Sequence, residues 1–331
     1  MPHLTFFCEL DPGALTALFE RPDLVDDLRA MNAGISLGLI DLSPERADVV
    51  QRLNRAGIPV TAWLLLPREA GYWFNLDNAA AARARYGDFR RWTADHGLSW
   101  ARVGLDIETD IREVERQESA PWAALLSQLG RAIQGERLRQ GLAQYRDLLA
   151  QIQADGYFVE SYQTPPIVDE RLAGSTLLQR LFGLVDLAVD REVLMLYTSL
   201  LGGRTGMLWS YAADSQAIAV GSTGGGVDTL PKLGWDELAR DLLLAHCWTD
   251  ELYIFSLEGC VQRDYLARLR DFDWSQPVSV PFGQAGRIDQ IRRLGRAGLW
   301  VAGHPAALLA IPALVGAWRL LRPRDHKSGL G

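Results

Sequence analysis

Ala101-Arg102-Val103-Gly104-Leu105-Asp106-Ile107-Glu108-Thr109 reads as a β-strand with two unlike faces. Successive side chains on a strand point to opposite sides, so Leu105 and Ile107 share one surface while Gly104, Asp106 and Glu108 share the other. Leu105 and Ile107 suit a packed layer of helices. The other face stacks one acid above another at the carboxyl end of the strand, where barrels of parallel strands carry their active sites.

Working outward in both directions, short apolar runs bounded by turn residues alternate with stretches of helical periodicity, the pattern of repeated βα units. Eight strands are expected: Leu4–Leu10, Ile35–Leu42, Val60–Leu66, Ala101–Thr109, Phe158–Gln163, Val193–Ser199, Ala217–Ser222 and Leu252–Cys260. Between the second and third, Pro44 to Leu53 is a helix begun by the cap-like Ser43 and closed by Gly57-Ile58-Pro59. An open doubly wound sheet would need a glycine-rich turn after its first strand to hold a dinucleotide, and Asp11-Pro12-Gly13 is not one. Eight units over roughly 260 residues fit a (β/α)8 TIM-type barrel with a C-terminal apolar helical tail. The barrel is expected over residues 1–274, with 275–331 a linker and a basic, then apolar, segment.

The 331 residues carry a formal charge of −7, which opposes a general attraction to nucleic acid phosphate. Three cysteines, Cys8, Cys247 and Cys260, are too few and too scattered for a disulfide framework or a zinc motif, and are read as reduced and mostly buried. The five histidines show no metal-ligand spacing, so no metal site is assigned to them.

The chemistry rests on acids. Two close carboxylates cannot both ionise cheaply, so one is pushed toward a pKa at which it can donate a proton near neutrality. Glu108, nearest the strand end, is the general-acid candidate and Asp106 lies one layer deeper; both could instead satisfy arginines or backbone groups inside the barrel. Other strand ends repeat the theme with Glu9, Asp41, Glu160 and Glu258. Glu258 is either a second catalytic carboxylate or an acid favoured by the dipole of a helix beginning near Val261. A ring of acids without histidine suits sugar hydroxyls and glycosidic acid/base chemistry, and could equally hold Mg²⁺ or Ca²⁺.

Aromatic residues cluster after the third strand in Gly71-Tyr72-Trp73-Phe74-Asn75, and Trp73 there could stack on a sugar ring or fold onto its own cluster. Tyr162, Gln163 and Tyr197 supply polar tips near strand ends. The Ser222-Thr223-Gly224-Gly225-Gly226 stretch keeps a phosphate-containing ligand in view, since barrels often bind phosphate after strands seven and eight.

The run ending in Glu108, followed about two units later by Met195-Leu196-Tyr197, resembles the chitinase-like barrels of glycoside hydrolase family eighteen. Those enzymes have a D-x-x-D-x-D-x-E run on strand four and a tyrosine in an M-x-Y-D run on strand six. The resemblance implies that Glu108 is the proton donor, Asp106 its neighbouring acid and Tyr197 a substrate-positioning hydroxyl. Gly104 stands where that pattern has a further aspartate, Thr198 where it has one after the tyrosine, and Glu258 where tryptophan is common on strand eight.

Gly298 to Trp318 contains no charged residue, is long enough at about 1.5 Å per residue to cross a bilayer core, and is flanked by arginines and by Trp300 and Trp318. Membrane association through this segment is expected, although Pro305 and Pro312 argue against a straight span. With no signal peptide at the start, the barrel is expected to stay cytoplasmic. Three functions fit: a glycosidase-like enzyme acting without a cofactor on a saccharide or glycolipid, with Glu108, Asp106 and Glu258 catalytic; a metal-dependent phosphodiester or phospholipid-headgroup hydrolase; or a non-catalytic barrel binding a saccharide or partner.

Overall fold

The computed structural model describes residues 1–119, 130–131, 133–201, 204–225 and 231–304. Eight parallel strands close into a ring: β1 (His3–Cys8), β2 (Gly34–Leu39), β3 (Val60–Leu64), β4 (Arg102–Ile107), β5 (Phe158–Gln163), β6 (Arg191–Met195), β7 (Ala217–Gly221) and β8 (Glu251–Phe255), with β1 pairing β8 to complete it. This is the (β/α)8 barrel expected. The strands are buried on both faces, which is why they are read as short apolar runs. Several stop earlier than their sequence runs. β8 ends at Phe255, because Ser256 caps a short helix, Leu257–Gln262, by accepting from the Gly259 N–H.

Helices between the strands form the outer layer and start where their caps dictate. Ser43 accepts from the Arg46 N–H at 3.3 Å and Pro44 opens the helix Pro44–Arg55. Outward residues such as Phe6, Leu37, Leu105 and Ile107 join this layer in one apolar core. Inward residues form a second, smaller cluster of Phe7, Trp63, Leu65, Tyr162, Val193, Ala217, Ala219 and Tyr253. Among the three cysteines, Cys8 and Cys260 are buried and Cys247 is exposed; all are free thiols.

The segment after Trp274 includes the C-terminal helix expected. Its basic stretch lies in a 22-residue helix, Phe282–Gly303, packed on the helices Thr205–Ala212 and Pro166–Leu172. Arg292 anchors it: Nη2 lies 3.0 Å from Asp169 Oδ1 and 2.6 Å from Asp214 Oδ2, with the guanidinium over the Tyr211 ring. Of the expected membrane segment, Gly298 to His304 belong to this helix and its cap, and residues 305–318 lie outside the described residues. Among the described residues no helix is long and apolar enough to cross a membrane.

Replacing Arg292 by Ala leaves the buried Asp169 carboxylate with only the more distant Arg296, 3.9 Å away. The variant is expected to lose about 3–5 kcal/mol of unfolding free energy, read from the denaturation midpoint. A loss below about 1 kcal/mol would show that the pair does not anchor the helix.

Candidate active site

The inward faces of the strands stack in layers, and depth decides what each polar residue can do. At the amino-terminal end, Arg191 reaches Glu251 at 2.8 Å, His3 lies 3.5 Å from Glu251 and Arg102 lies 3.8 Å from Glu160. Glu160 is fully buried here; Tyr162 and Tyr253 each donate a hydroxyl hydrogen bond to it, both at 2.8 Å. Burial raises the Glu160 pKa, and the tyrosine bonds and arginines offset part of that rise.

This corrects two expectations. Glu160 and Tyr162, expected at the substrate, are engaged with Ser36 and Tyr253 in a buried network inside the barrel. Gln163 is a third correction: one residue beyond Tyr162, it faces the helix layer, donates to the Val185 carbonyl at 3.0 Å and is fully buried. Asp41 is likewise engaged, accepting from Arg46 at 2.7 Å and from the Ser43 N–H at 2.9 Å, and these bonds hold its pKa down against desolvation.

The carboxyl-terminal end holds the remaining acids. Asp106, 2% exposed, ends the inward row of β4, and the Trp63 indole N–H donates to its Oδ2 at 3.1 Å. No N–H donor reaches Oδ1. Glu108 follows one layer up and is partly exposed. The loop after β3 holds this strand end: Phe74 N–H donates to the Asp106 carbonyl at 2.8 Å and Glu108 N–H to the Phe74 carbonyl at 3.2 Å. Buried Tyr145 ties the same loop down through the Asn75 carbonyl at 2.9 Å. Phe74 is thus structural, while Tyr72 and Trp73 stand edge to face, 5.6 Å apart, over the inner cluster.

Among the described residues no arginine or lysine forms an ion pair with Asp106 or Glu108, and their titration reflects burial and neighbouring acids. Burial, then the charges of Glu108 and Glu9, raise the Asp106 pKa well above its ordinary range. Glu108 is pushed up to about 7 by burial and by Glu9, while hydrogen bonding with Asp106 pulls it back. The two carboxyls therefore share protons across neutral pH. Burial also raises Glu9, which accepts a hydrogen bond from the Tyr72 hydroxyl. Tyr197, just past β6 and packed on Phe255, is raised by burial and by the charges of Asp106, Glu108 and Glu9, so its phenol keeps its proton.

Glu258 is not a strand-end residue as expected; it lies in the first turn of the helix Leu257–Gln262. It sits beside Ser256, the Cys8 thiol and the Glu9 backbone, and among the described residues neither carboxyl oxygen has a well-formed hydrogen bond. Burial pushes its pKa up to about 7, with Glu9 adding to the rise. Gly224 and Gly225 pack directly over this helix, where a Cβ on Gly225 would run into the Glu258 carboxyl, so close packing accounts for both glycines. Gly226 lies outside the described residues. The sequence reading passed over Trp63 and Phe255. Strand alternation places both inward, and a buried indole N–H needs an acceptor.

Among the described residues no group of three or more His, Cys, Asp or Glu side chains is disposed to hold a metal ion. The class defined by fold and site is a (β/α)8 barrel with a carboxyl-rich, aromatic-walled mouth. No protein-family model matches the chain and no curated protein does. Among solved structures it is similar to the PgaB (BpsB) glycoside hydrolase domain from Bordetella bronchiseptica, at 12% identity and a TM-score of 0.51, covering 84% of this chain and 100% of that one. It is also similar to an L-ribulose 3-epimerase (14% identity, TM-score 0.39, 87% of this chain and 93% of that one). A D-psicose 3-epimerase from Clostridium cellulolyticum H10 gives 11% identity and a TM-score of 0.40, covering 91% of this chain and 99% of that one. At these identities the likeness shows the barrel fold alone.

The acid pair sets a stability test. Glu108 titrates near 7 in the folded protein and near its ordinary 4.5 when unfolded. Folding therefore retains a proton that the unfolded chain releases between those values, and stability falls as pH rises through that window. Glu108→Gln is expected to raise stability at pH 8 by about 1–3 kcal/mol and to change it little at pH 4. Thermal melts at the two pH values check this, and an equal effect at both would refute the assigned shift.

Proposed function

We propose that this barrel cleaves or remodels a glycosidic bond of a saccharide or glycolipid, with Glu108 as general acid. The observation that carries the reading is the Asp106–Glu108 pair: a carboxyl at the barrel mouth that keeps its proton up to about pH 7, above a second acid that shares protons with it. Such a group can protonate a leaving glycosidic oxygen at neutral pH. Asp106, fixed by Trp63, takes up part of the charge left when Glu108 gives up its proton.

The other groups fit the same reaction. Trp73 and Tyr72 offer ring faces and edges for a sugar to pack against. The un-ionised Tyr197 phenol can donate a hydrogen bond to a substrate oxygen. The positive charge that develops on the sugar ring needs a second carboxylate. Glu9 acts directly on the Glu108 titration, whereas Glu258 is coupled to Glu9; Glu9 is therefore the better-placed second acid, with Glu258 behind it. The likeness in fold to a glycoside hydrolase domain supports this reading, as do the family-eighteen-like positions of Asp106, Glu108 and Tyr197.

Glu108→Gln is expected to lower kcat on the responsive substrate by about 10²–10⁴ while circular dichroism is unchanged. Aryl glycosides and oligosaccharides differing in sugar and linkage serve to find that substrate. Wild-type activity should decline as pH rises through about 7, because only protonated Glu108 donates. Full activity in the Gln variant, or a rate that rises through that range, would overturn the assignment.

A further inference from the structure

Among the described residues the helix Phe282–Gly303 buries one face and exposes the other. Ala285 and Arg292 point inward, with Ile288 packed against the core. On the opposite side, Ile291, Leu294, Gly298 and Val301 recur at intervals of three and four residues and so form one stripe. Ile291 is 64% and Leu294 75% exposed. Of the twelve large apolar side chains exposed among the described residues, five lie on this helix: Phe282, Ile291, Leu294, Trp300 and Val301. Two more adjoin it. Leu172 ends a helix packed against it, and Trp248 contacts Trp209, which in turn contacts Phe282. Clustering of this kind marks an interaction surface rather than scattered exposure.

Charge says what the surface meets. Arg287 and Arg293 are exposed along the helix, Arg296 is turned to Asp169 at 3.9 Å, and the helix's one acid, Asp289, accepts a hydrogen bond from Ser210 beneath. In a chain of net charge −7, Arg287 and Arg293 thus place exposed positive charge on the same helix as the apolar stripe. Pairing two copies along this stripe would bring arginines together. An anionic lipid surface instead receives both features, the apolar stripe entering the acyl boundary and the arginines meeting headgroup phosphates. The sequence beyond the helix continues uncharged to Trp318, prolonging that character.

We propose that the outward face of the helix Phe282–Gly303 docks this barrel on an anionic membrane surface, lying in the interface rather than spanning it. The proposal is independent of the reaction at the mouth. The test is sedimentation of the full chain with phosphatidylcholine vesicles containing about 30% phosphatidylserine, and with phosphatidylcholine alone. Binding is expected to the anionic vesicles, weakened by high salt. Ile291→Glu with Leu294→Glu should lower it by about tenfold or more without changing the melting temperature. Arg287→Glu with Arg293→Glu, which removes no apolar contact, should weaken it too. The proposal is overturned by absence of wild-type binding, by equal binding to both vesicle types, or by undiminished binding of the first variant, which would assign attachment to residues beyond 304. A wild-type dimer that the first variant dissociates would also overturn it, placing a second copy on the stripe.

Discussion

Closing eight strands into a ring leaves room inside for only a few side chains per layer, and that limit governs the rest of the structure. Gly104 shows it most directly. A Cβ at this position would meet the Tyr162 ring, with Cζ at 2.8 Å, so the glycine is the complement of a tyrosine on the neighbouring strand. Tyr162 needs that space to reach Ser36 and Glu160, and Glu160 needs Tyr162 because both its oxygens are out of water. The aspartate that the family-eighteen pattern would place at Gly104 has no volume available here.

The two ends of the barrel solve the problem of a buried acid in opposite ways. At the amino-terminal end, Glu160 and Glu251 are met by arginines and hydroxyl donors, and the layer is electrically nearly closed. At the mouth, Glu9, Asp106, Glu108 and Glu258 are raised together, and bound protons take the place of cations. Such a cluster costs stability wherever it must ionise. The mouth is therefore the part of this barrel whose residues are least explained by packing.

How far the sequence could be read follows from the same geometry. Alternation along β4 correctly separated Asp106 and Glu108 from Leu105 and Ile107, since it needs only one strand. Depth does not follow from one strand. Glu160 sits opposite Gly104 and Arg191, and that register between strands puts it at the closed end. Applied one residue further, the same alternation would have turned Gln163 outward. Asp41 and Glu258 are placed by local contacts: Arg46, five residues on, engages the first, and the Ser256 cap puts the second in the first turn of a helix, the alternative its sequence left open. Trp63 was legible only once Asp106 had a place for its indole to reach.

The helix Phe282–Gly303 separates the two sides of the molecule. It lies on the helices that follow β5 and β6, hence on the barrel's flank and not over its mouth. Arg292 is spent inward, on Asp169 and Asp214, with Arg296 a more distant 3.9 Å from Asp169, and a buried pair of that kind fixes rotation about the helix axis. Turning the helix by one residue would take Arg292 from its acids and carry Ile291 and Leu294 around with it. The ion pair therefore determines which face of the helix is left apolar and exposed.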